Sequence, residues 1–523
     1  MSATALLTFS IGPVHSFIGQ ARRIADLWAG SRILSGLASA AIDTLHKEGI
    51  EPVFPAARQG AIPRGLPNRI VAEVPFERAG EIARVIEGVV RARWTAIVEH
   101  AVQTLTALGM DVSLPRGRDA LWPDAVTCSW SWVAENGDYA RASRDGAELF
   151  SASRLFRPFE QKGDQGMKCA ICGERNALPD GVRGTVTSEW QKALRRAEAI
   201  APRLTAFLRT DQTRLCLVCA AKRLHPYRED GATEAEAMFR SFQDFQVDDE
   251  RRYFALVTMD GDRLGEALMG ESALGSGELR RLQQQISEAL NDFAEALKEP
   301  SSALSLRRLD SIPPAAAARR PRPQLIYAGG EDVLFACDPR DALALASAVR
   351  GLYRSCFAAR GLDPETYTIS AAVVFAHSKT PAGLLLRDAD ELLKKKAKEE
   401  SGRDSIAIAL HKRSGVPVEL AFRWDDPLRR GMDDVVDDLR DARLASRQTY
   451  AFAEHDRVLS PILDEREWPQ WLRWRLSHGE LSAERAAQSA RILAPFFIAR
   501  KVEALRVARF LAIELEEEGG IKS

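Results

Sequence analysis

The sequence of 523 residues has no apolar run long enough to span a bilayer, and it opens without the basic leader and small-residue cleavage site of a signal peptide. It also lacks an excess of either charge, since 72 basic and 73 acidic residues leave a net charge of −1. Such a surface does not attract polyanions as a whole, so any nucleic-acid contact must be a local patch or be shared with partner proteins. We therefore expect a cytoplasmic protein without a membrane partner.

Cysteine is scarce, but four of the seven cysteines form two C-x-x-C pairs. Cys169 and Cys172 make the first pair, and Cys216 and Cys219 make the second. Thiolates at this spacing hold one tetrahedral Zn²⁺ ion, and a closed four-thiolate site leaves no position for a catalytic water. The pattern predicts a reduced protein with a structural zinc ion, and a helix-rich insert around Ser188–Leu208 between the pairs.

The length predicts several domains, and the order of strands and helices predicts the α+β fold class. We expect two ferredoxin-like palm domains, a zinc-bearing helical domain between them, and a C-terminal helical domain. The predicted boundaries are 1–165 for a degenerate first palm with an irregular connection, 166–246 for the zinc-binding domain, 247–413 for the second palm and 414–523 for the helical end.

The first palm is predicted from a strand, helix, strand and helix pattern. A helical stretch from Val14 to about His46 is expected to be interrupted at Gly30, and residues 114–165 are expected to form an irregular connection with one or two helices. The remaining predicted elements are strands at Ala5–Ser10, Pro52–Pro55 and Arg69–Val74 and a helix at Glu77–Leu108.

The second palm is predicted from the order strand, helix, hairpin, helix, strand, helix, strand, which is the layout of polymerase and nucleotide cyclase palms. A basic loop is expected at Pro300–Pro323, and a mostly helical chain beyond Arg413. The predicted elements are Tyr253–Met259, Leu279–Leu297, the hairpin Gln324–Cys337, Arg340–Arg360, Tyr367–His377, Pro381–Glu400 and Ser405–Leu410.

The hairpin turn carries the first candidate chemistry. Gly329 and Gly330 permit a tight turn and leave room for phosphates or a base, and Glu331 and Asp332 follow side by side. Adjacent acids on a rigid turn repel one another unless a cation binds, and hard oxygen ligands suit Mg²⁺. The alternative is an ordinary turn with two solvated acids.

A second acidic motif, Asp260-Gly261-Asp262, ends the first strand of this domain. In a palm sheet that strand neighbours the hairpin, so Asp260 and Asp332 are expected to converge as in two-metal phosphoryl transfer with Mg²⁺ or Mn²⁺. Gly261 and Asp262 are candidate cofactor contacts. Basic candidates for binding a triphosphate are Lys394, Lys398 and Arg403, for which a solvated basic face is the alternative.

The N-terminus repeats this pattern faintly. LLTFSIGPVHSFI and ALVTMDGDRLGEAL both read as a strand, a tight turn and a helix, and aligning Gly12 with Gly261 puts Ile11 where Asp260 stands. If these are two copies of one fold, only the second keeps the metal-binding acid.

Taken in order, these motifs resemble the large polymerase-cyclase subunit of type III CRISPR effector complexes, specifically the Cmr-type (III-B) subunit. The resemblance covers nearly the whole chain and is carried by 11–18 (IGPVHSFI), 26–31 (DLWAGS), 65–68 (GLPN), the cysteine pairs and the two acidic motifs. It extends through 377–381, the lysine-rich helix and Gly402-Arg403.

The resemblance implies assembly with other Cmr-type Cas subunits around a CRISPR RNA, and synthesis of cyclic oligoadenylate from ATP when target RNA pairs. It implies that Asp260, Glu331 and Asp332 hold the metals while a 3′-hydroxyl attacks an α-phosphate and releases pyrophosphate. Many members begin with an HD nuclease domain, which this chain is not expected to contain. Their usual Gly-Gly-Asp-Asp tip is Gly-Gly-Glu-Asp here, and Glu331 reaches one methylene further.

Three alternatives stay open at this point. One is a catalytically inactive structural subunit of the same ribonucleoprotein. Another is a variant enzyme that joins AMP to another small acceptor. The third is a free-standing cyclase that makes a cyclic dinucleotide, against which the large accessory domains speak.

Overall fold

A computed structural model of the chain describes residues 3–56, 66–112, 122–155, 166–179, 183–208, 214–229, 253–269, 274–298, 322–412, 415–441, 444–478 and 481–515. Within these residues two β-sheets form, one of four strands and one of six. None of the helices in the described ranges is long and apolar enough to cross a membrane. All but the last two residues of the predicted basic loop, Pro300–Pro323, lie outside the described residues.

The first sheet is antiparallel and has the strand order β2-β3-β1-β4. Helices connect its strands in the sequence β-α-β-β-α-β, which is the ferredoxin-like arrangement. The elements are β1 (Thr4–Gly12), α1 (Val14–Gly19), α2 (Ile24–Lys47), β2 (Pro52–Phe54), β3 (Arg69–Pro75), α3 (Ala79–Ala107) and β4 (Thr127–Ala134). The predicted fold of this half is confirmed.

The irregular connection predicted for 114–165 was wrong where β4 lies, whereas the long helix α4 (Tyr139–Leu155) that follows agrees with the one or two helices expected there. The β4 strand alternates small polar residues with larger ones, which is a strand signal. Trp130 donates from its indole nitrogen to Glu87 at 2.8 Å, and Trp132 meets Phe76 edge-on at 5.2 Å. These contacts fix β4 at the edge of the sheet beside β1.

The helix interruption predicted at Gly30 was also wrong, because α1 ends at Gly19 and α2 runs unbroken through Gly30. A Cβ at position 30 would lie 3.0 Å from Cε of Lys222 and 3.3 Å from Cα of Ile18. Gly30 therefore serves close packing inside the helix. The actual break is stabilised by Lys222, whose ammonium donates to the carbonyls of Phe17 and Gln20 at 2.6 and 2.9 Å.

A helical module follows the first palm and contains both cysteine pairs. Its helices are α5 (Arg183–Ile200), α6 (Pro202–Leu208) and α7 (Leu217–Glu229), and α7 packs against α2 and α3. The predicted helical insert between the pairs is therefore present.

The second sheet has the strand order β10-β9-β8-β5-β7-β6, with β8 and β9 parallel and the other neighbours antiparallel. Its members β6-β7-β5-β8 repeat the order β2-β3-β1-β4 of the first sheet, which confirms two palm domains. The strands are β5 (Tyr253–Gly261), β6 (Gln324–Gly329), β7 (Asp332–Cys337), β8 (Ile369–His377), β9 (Ser405–His411) and β10 (Val418–Arg423). The helices are α8 (Leu264–Met269), α9 (Ser276–Lys298), α10 (Ala342–Ala359) and α11 (Ala382–Leu392), which continues as a wider π-helical turn over Leu393–Glu400.

The strand β10 lies beyond Arg413, where a mostly helical chain without a further palm strand was expected, and it pairs with β9 at the edge of the palm sheet. C-terminal helices cover the neighbouring face, where Phe510 contacts Tyr253 and Phe375 at centroid distances of 5.0 and 5.5 Å. They are α12 (Pro427–Arg440), α13 (Ser446–Leu459), α14 (Glu467–Ser477), α15 (Ala483–Ile498) and α16 (Glu503–Arg509).

Both faces of the second sheet are buried. Alternate residues of β5 enter different cores: Leu256 joins the core shared with the first palm and the helical module, and Val257 joins the core shared with the C-terminal helices. This burial explains why β5 reads as a continuous apolar run, and it places the acids that follow the run at the end of a rigid strand.

Candidate active site

The site forms where β5 and the hairpin turn meet. The antiparallel strands β5 and β7 place Met259 opposite Val333. Asp260, the next residue along β5, therefore lies beside Asp332, which precedes Val333 on β7. Because Gly330 has a φ of +63°, the chain turns sharply at this point, and Glu331 follows directly before Asp332.

The electrostatics of this cluster are unfavourable for carboxylates. Burial, with added repulsion from the nearby Asp260, raises the pKa of Glu331 from 4.5 to about 7. Burial also raises the pKa of Asp332 well above its usual range, with added repulsion from Asp260 and Glu331. Lys398 donates to the carboxylate of Asp260 and, at 2.9 Å, to the carbonyl of Gly261. A single ammonium group does not neutralise three acidic side chains, so the cluster favours the binding of a divalent cation.

Cation binding at this cluster should depend on pH, because a metal ion must displace the protons that Glu331 and Asp332 retain. We expect the apparent affinity for Mn²⁺ to rise steadily between about pH 6 and pH 8. Titration calorimetry in buffers of different ionisation enthalpy should show protons released per Mn²⁺ at about pH 6.5.

Stability should show the opposite trend in the metal-free protein. The folded chain holds the Glu331 proton up to about pH 7, whereas an unperturbed glutamate loses it near 4.5. The contribution of Glu331 to the free energy of unfolding therefore falls as pH rises through that interval. Proton-independent Mn²⁺ binding across the range would contradict this description of the site.

Gly261 allows the two segments to approach one another. A Cβ built there would lie 2.6 Å from Leu264 Cδ1, 2.9 Å from Glu331 Cβ and 3.0 Å from Tyr353 Oη. No side chain fits without moving the turn.

Gly261→Ala should therefore destabilise the protein by about 1–3 kcal/mol, as overpacking does, and weaken Mn²⁺ binding. Thermal unfolding and Mn²⁺ titration measure both effects. The matched control is Gly351→Ala in α10, where a Cβ meets nothing within 4 Å and the helix gains stability. Equal melting temperatures and equal Mn²⁺ affinities of the two variants would show that β5 and the hairpin are not closely packed at Gly261.

Asp262, predicted as a cofactor contact, lies behind the other acids and is buried. Its carboxylate accepts hydrogen bonds from the hydroxyls of Thr368 at 2.8 Å and Ser370 at 2.9 Å and from the backbone of Asp404 at 3.0 Å. Its nearest contact with the site is Lys398, 3.9 Å away. In this arrangement Asp262 ties the end of β5 to the turn that contains Arg403.

The other predicted basic residues lie further out. Lys394 is exposed on the same helix as Lys398, and Arg403 is half-buried in a turn where it has a φ of +69°. Among the described residues, neither side chain forms an ion pair. Gly329 is buried at the end of β6, and a Cβ on Gly330 would lie 3.4 Å from Pro67 of the first palm.

Two residues of the first palm lie at the site, although no chemistry was predicted for them from the sequence. Arg69 on β3 lies near Glu331, and its charge lowers the pKa of that acid. His15 lies 2.9 Å from Asp390 on α11, whose hydrogen bond raises the pKa of the imidazole, and Asp260 acts in the same direction. His15 belongs to a segment quoted for the family resemblance and Arg69 directly follows another, but only the docking of the palms shows where the two side chains point.

The four cysteines of the helical module converge. Their sulfur atoms all lie within 4.8 Å of one another, and Cys172 Sγ lies 3.8 Å from Cys216 Sγ. Backbone amides of Ile171 and Cys219 point at the sulfurs of Cys169 and Cys216 at 3.4 Å, as expected for thiolate ligands. The cluster is able to hold a zinc ion.

The cysteine module contacts the first palm directly, and the same segment of the first palm contacts the second palm. Arg223 on α7 forms a buried ion pair with Asp26 on α2 at 2.6 Å. The backbone amides of Ala382 and Gly383, at the start of α11, donate to the carbonyls of Arg22 and Ala21 at 3.1 and 3.0 Å. These two carbonyls belong to the segment just before α2. Residues 17–26 are therefore a junction where the first palm, the cysteine module and the second palm meet.

Comparisons with known proteins match both palms. Residues 253–407 match the family model for the second palm domain of Cas10/Cmr2, and residues 6–99 match the model for the N-terminal region of the CRISPR-associated protein Cmr2. The chain is 22% identical to the CRISPR system Cmr subunit Cmr2 of Pyrococcus furiosus over 78% of its length, and the match spans 62% of that relative.

Solved structures show the same fold at 12% identity. The apo state of the type III-B Cmr-beta complex matches 95% of this chain and 82% of its own chain with a TM-score of 0.56. Cmr-beta bound to cognate target RNA matches 92% and 79%, with a TM-score of 0.57. A Csm1–Csm4 cassette in complex with cA4 matches 97% and 70%, with a TM-score of 0.51.

Proposed function

Because the chain belongs to the Cas10/Cmr2 family, the palm-domain large subunits of type III CRISPR systems, we propose that it is a nucleotidyltransferase that target RNA activates. Its product is a cyclic oligoadenylate made from ATP. The observation that carries the proposal is the convergence of Asp260, Glu331 and Asp332 on one end of the second palm sheet. A similar Csm1–Csm4 cassette binds cA4, which supports this choice of product.

The residues present fit two-metal chemistry. Asp260, Glu331 and Asp332 would hold Mg²⁺ or Mn²⁺, and the ions would supply charge neutralisation at the attacking and leaving oxygens. In the reaction the 3′-hydroxyl of one nucleotide attacks the α-phosphate of another, so that a P–O bond forms, the bond to pyrophosphate breaks and the hydroxyl proton leaves. The protein mainly positions the groups and neutralises charge.

Other residues then act around the acids. Lys398 holds Asp260 in place through its ammonium group, while Gly329 and Gly330 keep the turn free of side chains. Lys394, Arg403 and, from the first palm, Arg69 supply positive charge for the triphosphate. Gly261 and Asp262 fix the end of β5 under these groups.

The four cysteines would hold a structural Zn²⁺ ion, for which their donor set and the amides directed at the sulfurs are suitable. The proposed division of the chain remains 1–165, 166–246, 247–413 and 414–523, with β10 completing the second palm sheet. Partners are other Cmr-type Cas subunits, CRISPR RNA and target RNA in a cytoplasmic complex. A similar Cmr-beta complex binds cognate target RNA.

A second candidate is a catalytically inactive subunit of the same ribonucleoprotein. The ammonium group of Lys398 occupies one side of Asp260, and Glu331 stands where the family usually has aspartate. A longer acid shifts the ligand oxygen, and Mg²⁺ tolerates little distortion of its octahedron. An enzyme that joins AMP to another small acceptor is a variant of the first candidate.

The test is incubation of the assembled complex with labelled ATP, Mg²⁺ and matching target RNA. Cyclic oligoadenylate from the native complex and none from Asp332→Ala is the expected result. Linear or mixed adenylates would identify the variant acceptor reaction. Absence of product with every nucleotide, while target RNA still binds, would establish the inactive subunit. Product from the lone chain without RNA would show a free-standing cyclase.

A further inference from the structure

A buried tyrosine beneath the site has a hydroxyl that no described residue partners. Tyr353 on α10 is 0% exposed, and within the described part of the chain its Oη forms no hydrogen bond. Buried hydroxyl groups are almost always paired, so that an orphaned donor calls for an explanation. Burial raises the pKa of Tyr353 well above its usual range, and the group therefore remains a neutral donor.

The position of this hydroxyl is set by its surroundings. The Tyr353 ring stacks on Phe357 at a centroid distance of 4.3 Å and meets Phe293 edge-on at 5.2 Å. Both Tyr353 Oη and Glu331 Cβ lie within 3.0 Å of the point where a Gly261 Cβ would stand. Two atoms that near to a common point are at most about 6 Å apart, which is within the reach of a glutamate side chain that turns toward the hydroxyl.

We propose that Tyr353 is a positioning residue for Glu331, whose carboxylate accepts a hydrogen bond from the tyrosine hydroxyl when it ligates a divalent cation. The inference rests on the proposed function, because it requires that Glu331 is a metal ligand. Glutamate has one more rotatable bond than aspartate, so a ligand of this length needs a partner that fixes its orientation. A neutral donor does this without cancelling the negative charge that attracts the cation, as a lysine or arginine would.

The test measures Mn²⁺ binding to the full chain, with the free ion detected by electron paramagnetic resonance. Tyr353→Phe removes only the hydroxyl and should weaken Mn²⁺ binding about three- to tenfold, the usual effect of one hydrogen bond to a charged group. Tyr367→Phe is the matched control, because Tyr367 belongs to the same aromatic stack through Phe357 but is half-exposed. Its Mn²⁺ affinity should equal that of the native chain.

Two further measurements separate positioning from a structural role. In the Glu331→Ala background, Tyr353→Phe should have no further effect on Mn²⁺ binding, since the hydroxyl acts through Glu331. The melting temperature of metal-free Tyr353→Phe should equal or exceed that of the native chain, because the hydroxyl has no partner to lose.

Three results overturn the inference. They are native Mn²⁺ affinity in Tyr353→Phe, an equal loss of affinity with and without Glu331, and a lower melting temperature without a change in affinity. Failure of the proposed metal site itself looks different: the native chain and Asp332→Ala would then bind Mn²⁺ alike, whatever residue stands at position 353.

Discussion

Asp332→Asn is expected to abolish nucleotidyl transfer and at the same time to stabilise the metal-free protein. The amide keeps the shape of the side chain but cannot replace the carboxylate as an anionic metal ligand, so the rate should fall by about 10²- to 10³-fold or more. In the metal-free chain the same change removes an acid whose pKa is raised by burial and by the repulsion of Asp260 and Glu331. We therefore expect the free energy of unfolding at pH 8 to increase in this variant.

The sign of this gain follows from linkage. An acid whose pKa is raised in the folded protein lowers stability once the pH exceeds the pKa of the unfolded chain, and the penalty grows until the folded group ionises. The stabilisation by Asp332→Asn should therefore be small at about pH 4 and larger at about pH 8. Denaturant unfolding at both pH values, with EDTA present, measures it.

The control for this experiment is Asp425→Asn, because Asp425 is exposed and lies on the loop after β10. Its activity and its unfolding curve should match those of the native chain. Loss of activity in Asp332→Asn together with lower stability would mean that Asp332 supports the fold, and the argument for a cation cluster would then fail. A loss of activity together with a gain in stability is what distinguishes a functional acid from a structural one.

The sequence predicted the hairpin and its acids well because the signals there are local. Two glycines between apolar runs specify a tight turn, and Tyr253–Met259 is an apolar run that only a doubly buried strand accommodates. The elements that were not predicted are an edge strand with little burial, β4, and a strand beyond the assumed domain end, β10. The partner of β4 is β1, far away in the sequence, so the alternation in β4 does not by itself show where the strand pairs. The strand β10 closely follows its partner β9, and it was missed because the end of the domain was placed before it.

The environment of the acids was harder to predict than their identity. Asp260 and Asp262 are two residues apart, yet one faces Lys398 and the cluster while the other is buried among Thr368 and Ser370. The side on which each lies depends on where β8 and the turn at Arg403 pack. Gly30 was misread for the same reason, since only the tertiary contact with Lys222 explains a glycine inside α2.

Replacing Cys216 and Cys219 with serine is expected to remove zinc and to loosen a region well beyond the cysteine module. A structural zinc ion contributes about 10–16 kcal/mol in small zinc peptides, which is comparable to the entire stability of a domain. Cys216 directly precedes α7 and Cys219 lies in its first turn, and Lys222 and Arg223 follow on the same helix. The variant should therefore contain no zinc and show faster amide exchange in α7.

The junction at 17–26 should respond as well, because Lys222 and Arg223 bind it from α7. Hydrogen exchange in 17–26 is expected to rise about tenfold or more in the double cysteine variant. Lys222→Met separates the loss of zinc from the loss of the Lys222 contacts. This variant should retain zinc, but the amide hydrogens of 17–20 should exchange faster. Cys356→Ser is the control, since this half-buried cysteine lies on α10, away from the module.

If zinc were lost without any change in exchange at 17–26, the cysteine module would be an independent unit, and its contacts with the palms would be incidental. If the junction loosens, zinc stabilises the surface on which α11 docks through Ala382 and Gly383. Because α11 continues into the turn that carries Lys398, the metal-free module would then also disturb Asp260. A zinc site without catalytic chemistry would in this way determine how well the acids on the second palm are held.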